Sequence, residues 1–154
     1  MNIDKNYVKC DVCGNSILID QFGNGESCLN CGWKQSEESF ENPNIAGIRN
    51  IPSLNNAKQQ YLNGKPATLA NFNDFVEAYE RYGEVEFTYN NMRYGVLFDD
   101  ETQKIKLLNI VTKEQKLYLN SEDFIKNAQI NNQLLKDLWK DVTNTDFLQQ
   151  TDMI

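Results

Sequence analysis

The spacing of apolar residues predicts two helices in the middle of the chain. Ser53 is placed to cap a short helix that runs to about Leu62. A second helix is expected over residues 71–82, where apolar positions, most of them aromatic, recur every three or four residues. Gly83 follows as a residue that can adopt the left-handed conformation and end this helix.

From residue 84 to residue 119 the apolar period changes from that of a helix to that of a strand. In "EVEFTY" three residues are expected to point inward and three outward: Val85, Phe87 and Tyr89 against Glu84, Glu86 and Thr88. Asn90-Asn91 suits a tight hairpin turn into "MRYGVLF", and "DDET" turns into "QKIKLLNI". With "QKLYL" as a fourth strand, the segment predicts an antiparallel meander with one covered face.

Helices are predicted to close the chain. Asn120 or Ser121 can cap "SEDFIKNA", and "NNQLLKDLWKDV" carries apolar residues at helical spacing. Trp139 belongs to that apolar face, so we expect it to be buried against the inward residues of the meander. From Thr143 onward we expect a frayed tail.

All four cysteines lie in "KCDVCGNSILIDQFGNGESCLNCGW", as the pairs Cys10 with Cys13 and Cys28 with Cys31. Two residues between ligands let both sulfurs of a tight turn reach one ion, and two such turns complete a four-thiolate shell. A glycine after each pair lets backbone N–H groups turn toward the thiolates. The pattern predicts a zinc ribbon, with a hairpin between the pairs and one structural Zn²⁺ that has no position for a metal-bound water.

Other uses of the cysteines are less favoured. Two disulfides need an oxidising compartment, and the polar start of the chain is not a signal peptide. A thioredoxin-like redox pair needs a strand-to-helix junction, whereas both pairs lie in knuckle contexts. An iron–sulfur cluster could use four cysteines, but the symmetric spacing favours zinc.

These elements predict an α+β fold: a four-cysteine zinc ribbon, two short helices, and an antiparallel β-meander packed by C-terminal helices. The expected division is a ribbon over residues 1–35, a connector over 36–52, an α+β domain over 53–143 and a tail over 144–154. The connector has no periodic apolar stripe, and the residues expected to pack it are Phe40, Ile45, Ile48 and Ile51.

Charge and composition narrow the functional classes. The chain has 22 acidic and 15 basic side chains, for a net charge of −7, and residues 1–42 carry seven acids against three bases. Such a surface repels phosphate backbones and attracts basic partners. No signal segment and no apolar run of about 18 residues is present, so we expect a cytoplasmic protein without a membrane partner.

Enzymatic activity is not expected. The chain contains no histidine, which removes the Ser-His-Asp and Cys-His nucleophile systems together with the commonest general base. The adjacent carboxylates at Asp99-Asp100 and Glu37-Glu38 lie in predicted turns, where solvated acids are the simpler interpretation.

A family resemblance follows from the order of these motifs. "YVKCDVCGN…ESCLNCGW" followed by "PSLNNAKQQY", over residues 7–62, resembles the bacterial cysteine-rich CPCC family of small presumed zinc-ribbon domains. The name-giving Cys-Pro-Cys-Cys would fall on Cys10 to Cys13, where Asp11 and Val12 stand. The C-terminal part resembles a strand-meander-plus-helix module of small bacterial proteins, and the resemblance of both segments implies a neighbourhood of toxin–immunity loci.

A protein-binding role is therefore expected: a stoichiometric inhibitor or immunity-type protein with an acidic surface against a basic partner such as a nuclease toxin. The candidate contact residues are the exposed acids Glu37, Glu38, Glu41, Asp99, Asp100 and Glu101. The alternative is a nucleic-acid-binding or transcription-associated accessory protein. That role would require folding to gather Arg81, Arg93, Lys104 and Lys106 on one side.

Overall fold

A two-stranded hairpin encloses the first cysteine pair. In the computed structural model, which describes residues 6–21 and 23–148, β1 (Asn6–Lys9) pairs antiparallel with β2 (Ser16–Ile19). The connection between these strands is the first cysteine knuckle itself. Within the described part of the segment between the two cysteine pairs, the predicted hairpin is limited to one bridge, between Ile19 and Gly25.

The segment predicted to be a connector is ordered. Helix α1 (Glu37–Glu41) begins after Ser36, whose hydroxyl accepts a hydrogen bond from the backbone N–H of Ser39. The side chain of Asn50 forms two hydrogen bonds with the backbone of Lys34, as a neighbouring strand would. It accepts from the N–H of Lys34 at 3.0 Å and donates to the carbonyl of Lys34 at 2.9 Å. Side-chain hydrogen bonds therefore fix a segment that has no periodic apolar stripe.

The apolar residues of this segment behave differently from one another. Ile48 and Ile51 are buried, as expected, and Ile45 is half-buried. Phe40 is 64% exposed, so the expectation that it packs the connector is wrong. The reason is local, because the buried side of this short helix is taken by Ser39, whose hydroxyl bonds with that of Ser36.

Helix α2 (Leu54–Leu62) begins after the predicted cap Ser53. The apolar residues of this helix, which its sequence spacing predicts to share one face, are Leu54, Ala57, Tyr61 and Leu62. Leu54 and Ala57 are buried, whereas Tyr61 and Leu62 are exposed, so the prediction holds only for the first half of the helix. The helix joins a core with both cysteine pairs; its buried members are Cys10, Ile17, Cys28, Trp33, Leu54, Ala57 and Ala67.

Two compact units make up the chain, Met1–Ala70 and Asn71–Ile154. The division differs from the predicted one, which placed the connector and α2 outside the ribbon. The cause is the core just described, because Leu54 and Ala57 pack with the buried cysteines.

In the second unit, α3 (Phe72–Tyr82) begins after Asn71 and ends at Gly83, whose φ is +82°, as predicted. Five antiparallel strands follow in the order β6-β5-β4-β3-β9 across the sheet. Their bounds are Glu84–Tyr89 for β3, Met92–Asp99 for β4, Lys104–Asn109 for β5, Gln115–Tyr118 for β6 and Val142–Phe147 for β9. The first four are the predicted meander, and the α+β class is confirmed.

The fifth strand corrects the predicted tail. Residues 144–147 belong to β9, which pairs antiparallel with β3, for example Thr145 opposite Phe87. The backbone groups on that side of β3 thus find partners. The rest of the predicted tail, from residue 149, lies outside the described residues.

The predicted final helix is mostly wrong. Helix α4 (Ser121–Asn127) forms after Asn120, as expected. Beyond it, Asn131 and Asn132 have φ values of 52° and 66° and turn a short hairpin. That hairpin joins β7 (Gln129–Ile130) to β8 (Gln133–Leu134), and only α5 (Leu135–Leu138) and a 3-10 turn (Trp139–Asp141) are helical.

Trp139 is nevertheless buried, with 8% of its surface exposed. Its ring centroid lies 5.1 Å from that of Phe72, 4.8 Å from Phe75 and 5.2 Å from Phe87. The prediction that this tryptophan packs on inward residues of the meander is therefore confirmed, although its secondary structure differs.

Glu86 departs from the predicted alternation. It was expected to face solvent, but only 5% of its surface is exposed. Its strand, β3, has a paired strand on each side, and Arg93 on β4 forms an ion pair with Glu86. Leu148 covers Gly95, the residue directly opposite Glu86 on β4. Both faces of the sheet are thus covered near Glu86, and the carboxylate is buried with a charged partner.

Among the residues that the structure describes, no helix has the length and apolarity needed to cross a membrane.

Candidate metal centre

The four cysteine sulfurs converge on one point in the first unit. All four Sγ atoms lie within 4.8 Å of one another. The Sγ atoms of Cys10 and Cys31 are 3.6 Å apart, and those of Cys13 and Cys28 are 3.5 Å apart. A disulfide would need about 2.05 Å, whereas four thiolates about 2.3 Å from a tetrahedral ion lie about 3.8 Å apart. The donor set therefore fits one metal ion.

Two knuckles of the same construction present these sulfurs. In the first, the N–H of Gly14 donates to the carbonyl of Cys10 at 2.9 Å, and in the second Gly32 donates to Cys28 at 2.8 Å. Each knuckle is closed by a further hydrogen bond, from the N–H of Cys10 or of Cys28 to the carbonyl five residues later. The glycines have φ values of 85° and 81°, which the spacing of glycine after each pair predicted.

Backbone amides surround the sulfurs. Burial raises the pKa of Cys10, while hydrogen bonds from the backbone N–H groups of Cys13 and Val12 act in the opposite direction. Burial also raises the pKa of Cys31. At Cys13 burial acts in the same sense, but hydrogen bonds from the Asn30 side chain and from the backbone outweigh it and lower the pKa to about 7. Such N–H donors stabilise the thiolate form that a metal ion requires.

Side-chain hydrogen bonds, most of them to backbone groups, connect the second knuckle and the residues next to it to the rest of the unit. Gln35 is buried, and its side chain exchanges hydrogen bonds with both the backbone N–H and the carboxylate of Asp11. Arg49 donates to the carbonyls of Gly25 and Gln35 at 2.7 and 2.6 Å. Sequence reasoning missed these residues, because their partners are mainly backbone atoms far along the chain and leave no motif.

The arrangement is suited to holding structure together. When an ion is bound, protein sulfur fills all four positions of a tetrahedral shell, and the ion supplies no exchangeable ligand position. Cys10 and Cys28 are also core residues, packed with Trp33 and Leu54. The four-cysteine cluster is thus a structural metal-binding site that links the knuckles, α2 and the core of the first unit.

The acidic candidates fall into two groups on different units. Glu37, Glu38 and Glu41 are exposed on α1 of the first unit. Asp100 and Glu101 are exposed in the turn between β4 and β5 of the second unit. Asp99, at the end of β4, differs from both groups in being half-buried.

Asp99 is committed to the turn that follows it. Its carboxylate accepts from the hydroxyl and the backbone N–H of Thr102 and forms an ion pair with Lys106 at 3.4 Å. These hydrogen bonds, with Thr102 the largest contributor, hold the pKa of Asp99 below its usual value. The residue therefore has a structural role, which makes it a weaker contact candidate than its neighbours in the turn.

The basic candidates are partly gathered. The strand register places Arg93, Lys104 and Lys106 on one face of the sheet, whereas Arg81 lies in the last turn of α3. Two of these cations have acidic partners, Arg93 with Glu86 and Lys106 with Asp99.

Comparison with known proteins agrees with the resemblance. The family model described as Cysteine-rich CPCC matches residues 8–84. This range includes the four cysteines and extends beyond the expected limit at residue 62, through α3 and up to the first residue of β3. No curated protein and no solved structure matches the chain. The match spans half of the chain and contains the whole four-sulfur centre, and the chain belongs to the cysteine-rich CPCC family.

Proposed function

We propose that this chain is a non-enzymatic protein-binding module, built on a structural zinc, that acts as a stoichiometric inhibitor or immunity-type protein against a basic partner such as a nuclease toxin. The observation that carries the proposal is the exposed acidic group on α1. Glu37, Glu38 and Glu41 project from a helix anchored to a unit that a metal ion would hold together.

The surface around α1 is strongly negative. Between residues 6 and 42 six acidic side chains stand against Lys9 and Lys34, a formal charge of −4. Four thiolates around a dication add a further charge of about −2. At physiological salt, charges act over about 8 Å, so a field of this size accelerates encounter with a cationic protein surface.

The chemistry of the donor set supports zinc in particular. Zinc has no redox chemistry of its own and accepts a tetrahedral four-sulfur shell, which matches two knuckles that differ little in geometry. A role in assembly rather than turnover is in keeping with this closed shell.

The composition of one cavity in the second unit is in keeping with a role without turnover. This cavity has a volume of about 650 Å³. Among the described residues that line it, five carry amide side chains, Glu114 is the one carboxylate and Lys116 is the one cation. A hydrolytic carboxylate pair would need a second acid there.

A second candidate function rests on the sheet. Arg93, Lys104 and Lys106 share one face, which is the gathering that a nucleic-acid-binding accessory protein would require. Their pairing with Glu86 and Asp99 reduces the charge available for phosphate contacts, so this function is the less favoured one.

The test is recovery of the partner followed by measurement of its association rate. The zinc-loaded chain is used to capture binding proteins from its native host, and the captured protein is purified and titrated against it. One variant replaces Glu37, Glu38 and Glu41 by Gln. A second variant replaces Asp100 by Asn and Glu101 by Gln, which tests the other exposed acidic group by the same measurement. We expect a one-to-one complex whose association slows by about tenfold at low salt in the first variant.

Recovery of nucleic acid without a protein partner, with binding that persists when the α1 acids are neutralised, would reject the inhibitor role. Loss of that binding in a variant with Lys104 and Lys106 replaced by Gln would then establish the second candidate.

A further inference from the structure

A small apolar cleft lies beside the acidic helix of the first unit. It encloses about 340 Å³ and is formed by the β1–β2 hairpin, the turn at Gly23 and the start of α1. Its lining includes Val8, Ile19, Gln35, Ser36 and Phe40. This volume is at the lower end of the range for binding pockets and suits one large side chain rather than a cofactor.

An exposed aromatic side chain, that of Phe40, lies at the edge of this cleft. A phenylalanine 64% exposed on a short helix, at the edge of an apolar depression, presents a contact surface of the kind found at the centre of protein interfaces. The cross-strand pair Tyr7 and Leu18, on the other face of the hairpin, is also exposed, at 57% and 39%.

The walls of the cleft are held in place without an occupant. Ser36 caps α1 and is buried, and Gln35 is locked to Asp11 on the opposite side. Arg49 donates a hydrogen bond to the backbone carbonyl of Gln35 at 2.6 Å. A docking segment would thus meet a formed surface and would not have to order it, which reduces the entropic cost of binding.

The charged residues around the cleft favour a basic occupant. Asp11 and Glu37 line the cleft together with one cation, Lys9. Glu38 and Glu41 are exposed on the same helix as Glu37, so the acids outnumber the cation. A second copy of this chain would bring the same negative surface face to face with this one, and a phosphate backbone would be repelled in the same way. A segment rich in lysine and arginine is the complementary partner.

We propose that this cleft is the docking site for a basic segment of a partner protein, which inserts one large apolar side chain between the β1–β2 hairpin and Phe40 while its cations face the acids of α1. The proposal rests on the proposed function and assigns its contact surface to the first unit.

The experiment selects peptides on the zinc-loaded full chain from a displayed library of random twelve-residue sequences. Enriched peptides should carry a net positive charge and at least one large apolar residue. Their dissociation constants are then measured for the unchanged chain, for Phe40→Ser and for the control Leu62→Ser, which removes another exposed apolar side chain of the same unit outside the cleft. We expect Phe40→Ser to weaken binding by about tenfold or more and Leu62→Ser to change it by less than about twofold.

A second measurement places the peptide on the surface. Amide chemical shifts should move at Val8, Ile19 and Ser36, and the metal content of both variants should equal that of the unchanged chain. No enrichment, enriched peptides without positive charge, or equal binding to Phe40→Ser would each overturn the proposal. So would a dimer of this chain that Phe40→Ser dissociates.

The outcomes separate this proposal from the function on which it rests. Suppose that a host protein binds one-to-one, with an association rate that falls when the α1 acids are neutralised, and still binds Phe40→Ser with unchanged affinity. In that case the docking site is wrong and the inhibitor role stands. If the host yields no protein partner, the proposed function fails as well.

Discussion

Replacing Trp139 by alanine should destabilise the second unit strongly. This side chain is 8% exposed, and its ring lies about 5 Å from the rings of Phe72, Phe75 and Phe87. It thus joins α3, β3 and the 3-10 turn in one aromatic cluster. We expect the free energy of unfolding of this unit to fall by about 3 to 5 kcal/mol.

The magnitude follows from burial and cavity formation. A buried tryptophan removes about 150 to 250 Å² from water, which at about 25 cal/mol per Å² corresponds to about 4 to 6 kcal/mol. Alanine retains a small part of that burial, and partial collapse of the cavity returns some contacts. Aromatic pair contacts of about 0.5 to 1.5 kcal/mol each are lost as well, so a result near the upper end is expected.

Urea unfolding followed by far-ultraviolet circular dichroism is the suitable assay, because the substitution removes the tryptophan fluorescence of this unit. With a denaturant slope of about 1 to 3 kcal/mol per molar, a loss of about 3 to 5 kcal/mol lowers the midpoint by about 1 to 5 M. The matched control is Val111→Ala at a position 64% exposed, which should change the free energy of unfolding by less than about 0.5 kcal/mol. A loss below about 1 kcal/mol for Trp139→Ala would refute the aromatic cluster.

Further predictions concern the first unit. The purified chain should contain one zinc ion, and a chelator should expose the amides of residues 6–70 to hydrogen exchange while those of the second unit stay protected; stoichiometric iron or no metal would contradict this. Gly32→Ala should lower the melting temperature of the metal-loaded chain more than Gly14→Ala. Both positions have positive φ, but only at Gly32 would the new Cβ lie 3.3 Å from Thr68. Arg49→Ala removes two charge-assisted hydrogen bonds to carbonyls and should cost about 2 to 3 kcal/mol in chemical denaturation, whereas an unchanged midpoint would show these bonds to be dispensable.

Local patterns predicted the elements that local interactions determine. The cap at Ser53 and the helix end at Gly83 were recognisable, because each depends on residues one turn away. The metal ligands were recognisable for the same reason, since the spacing of two residues within a pair is itself the geometry of a knuckle.

The same dipeptide was interpreted correctly once and wrongly once. Asn90-Asn91 turns the hairpin that was predicted, with φ values of 52° and 61°, and Asn131-Asn132 turns another with nearly the same values. The first lies between long alternating strands. The second is flanked by strands of two residues and precedes leucines at helical spacing, so the helical period concealed the turn.

Long-range contacts account for the remaining errors. Glu86 alternates like a solvent-facing residue, and only the pairing of its strand with both neighbours and the cover from Leu148 explain its burial. The cleft at Phe40 likewise arises where a hairpin, a turn and a helix from separate parts of the sequence meet. No local sequence pattern predicts that these three segments come together, so the cleft could be found only in the folded chain.

The position of β9 has a consequence for synthesis on the ribosome. Because Phe147 lies opposite Val85, β3 cannot receive its second partner until β9 has left the exit tunnel. The cysteine knuckles and α2 lie within the first unit, which ends at Ala70, so we expect a nascent chain to bind its metal before the sheet is complete. A stalled or shortened product would therefore be a folded metal unit carrying an incomplete sheet, with β3 as an open and apolar edge that invites aggregation.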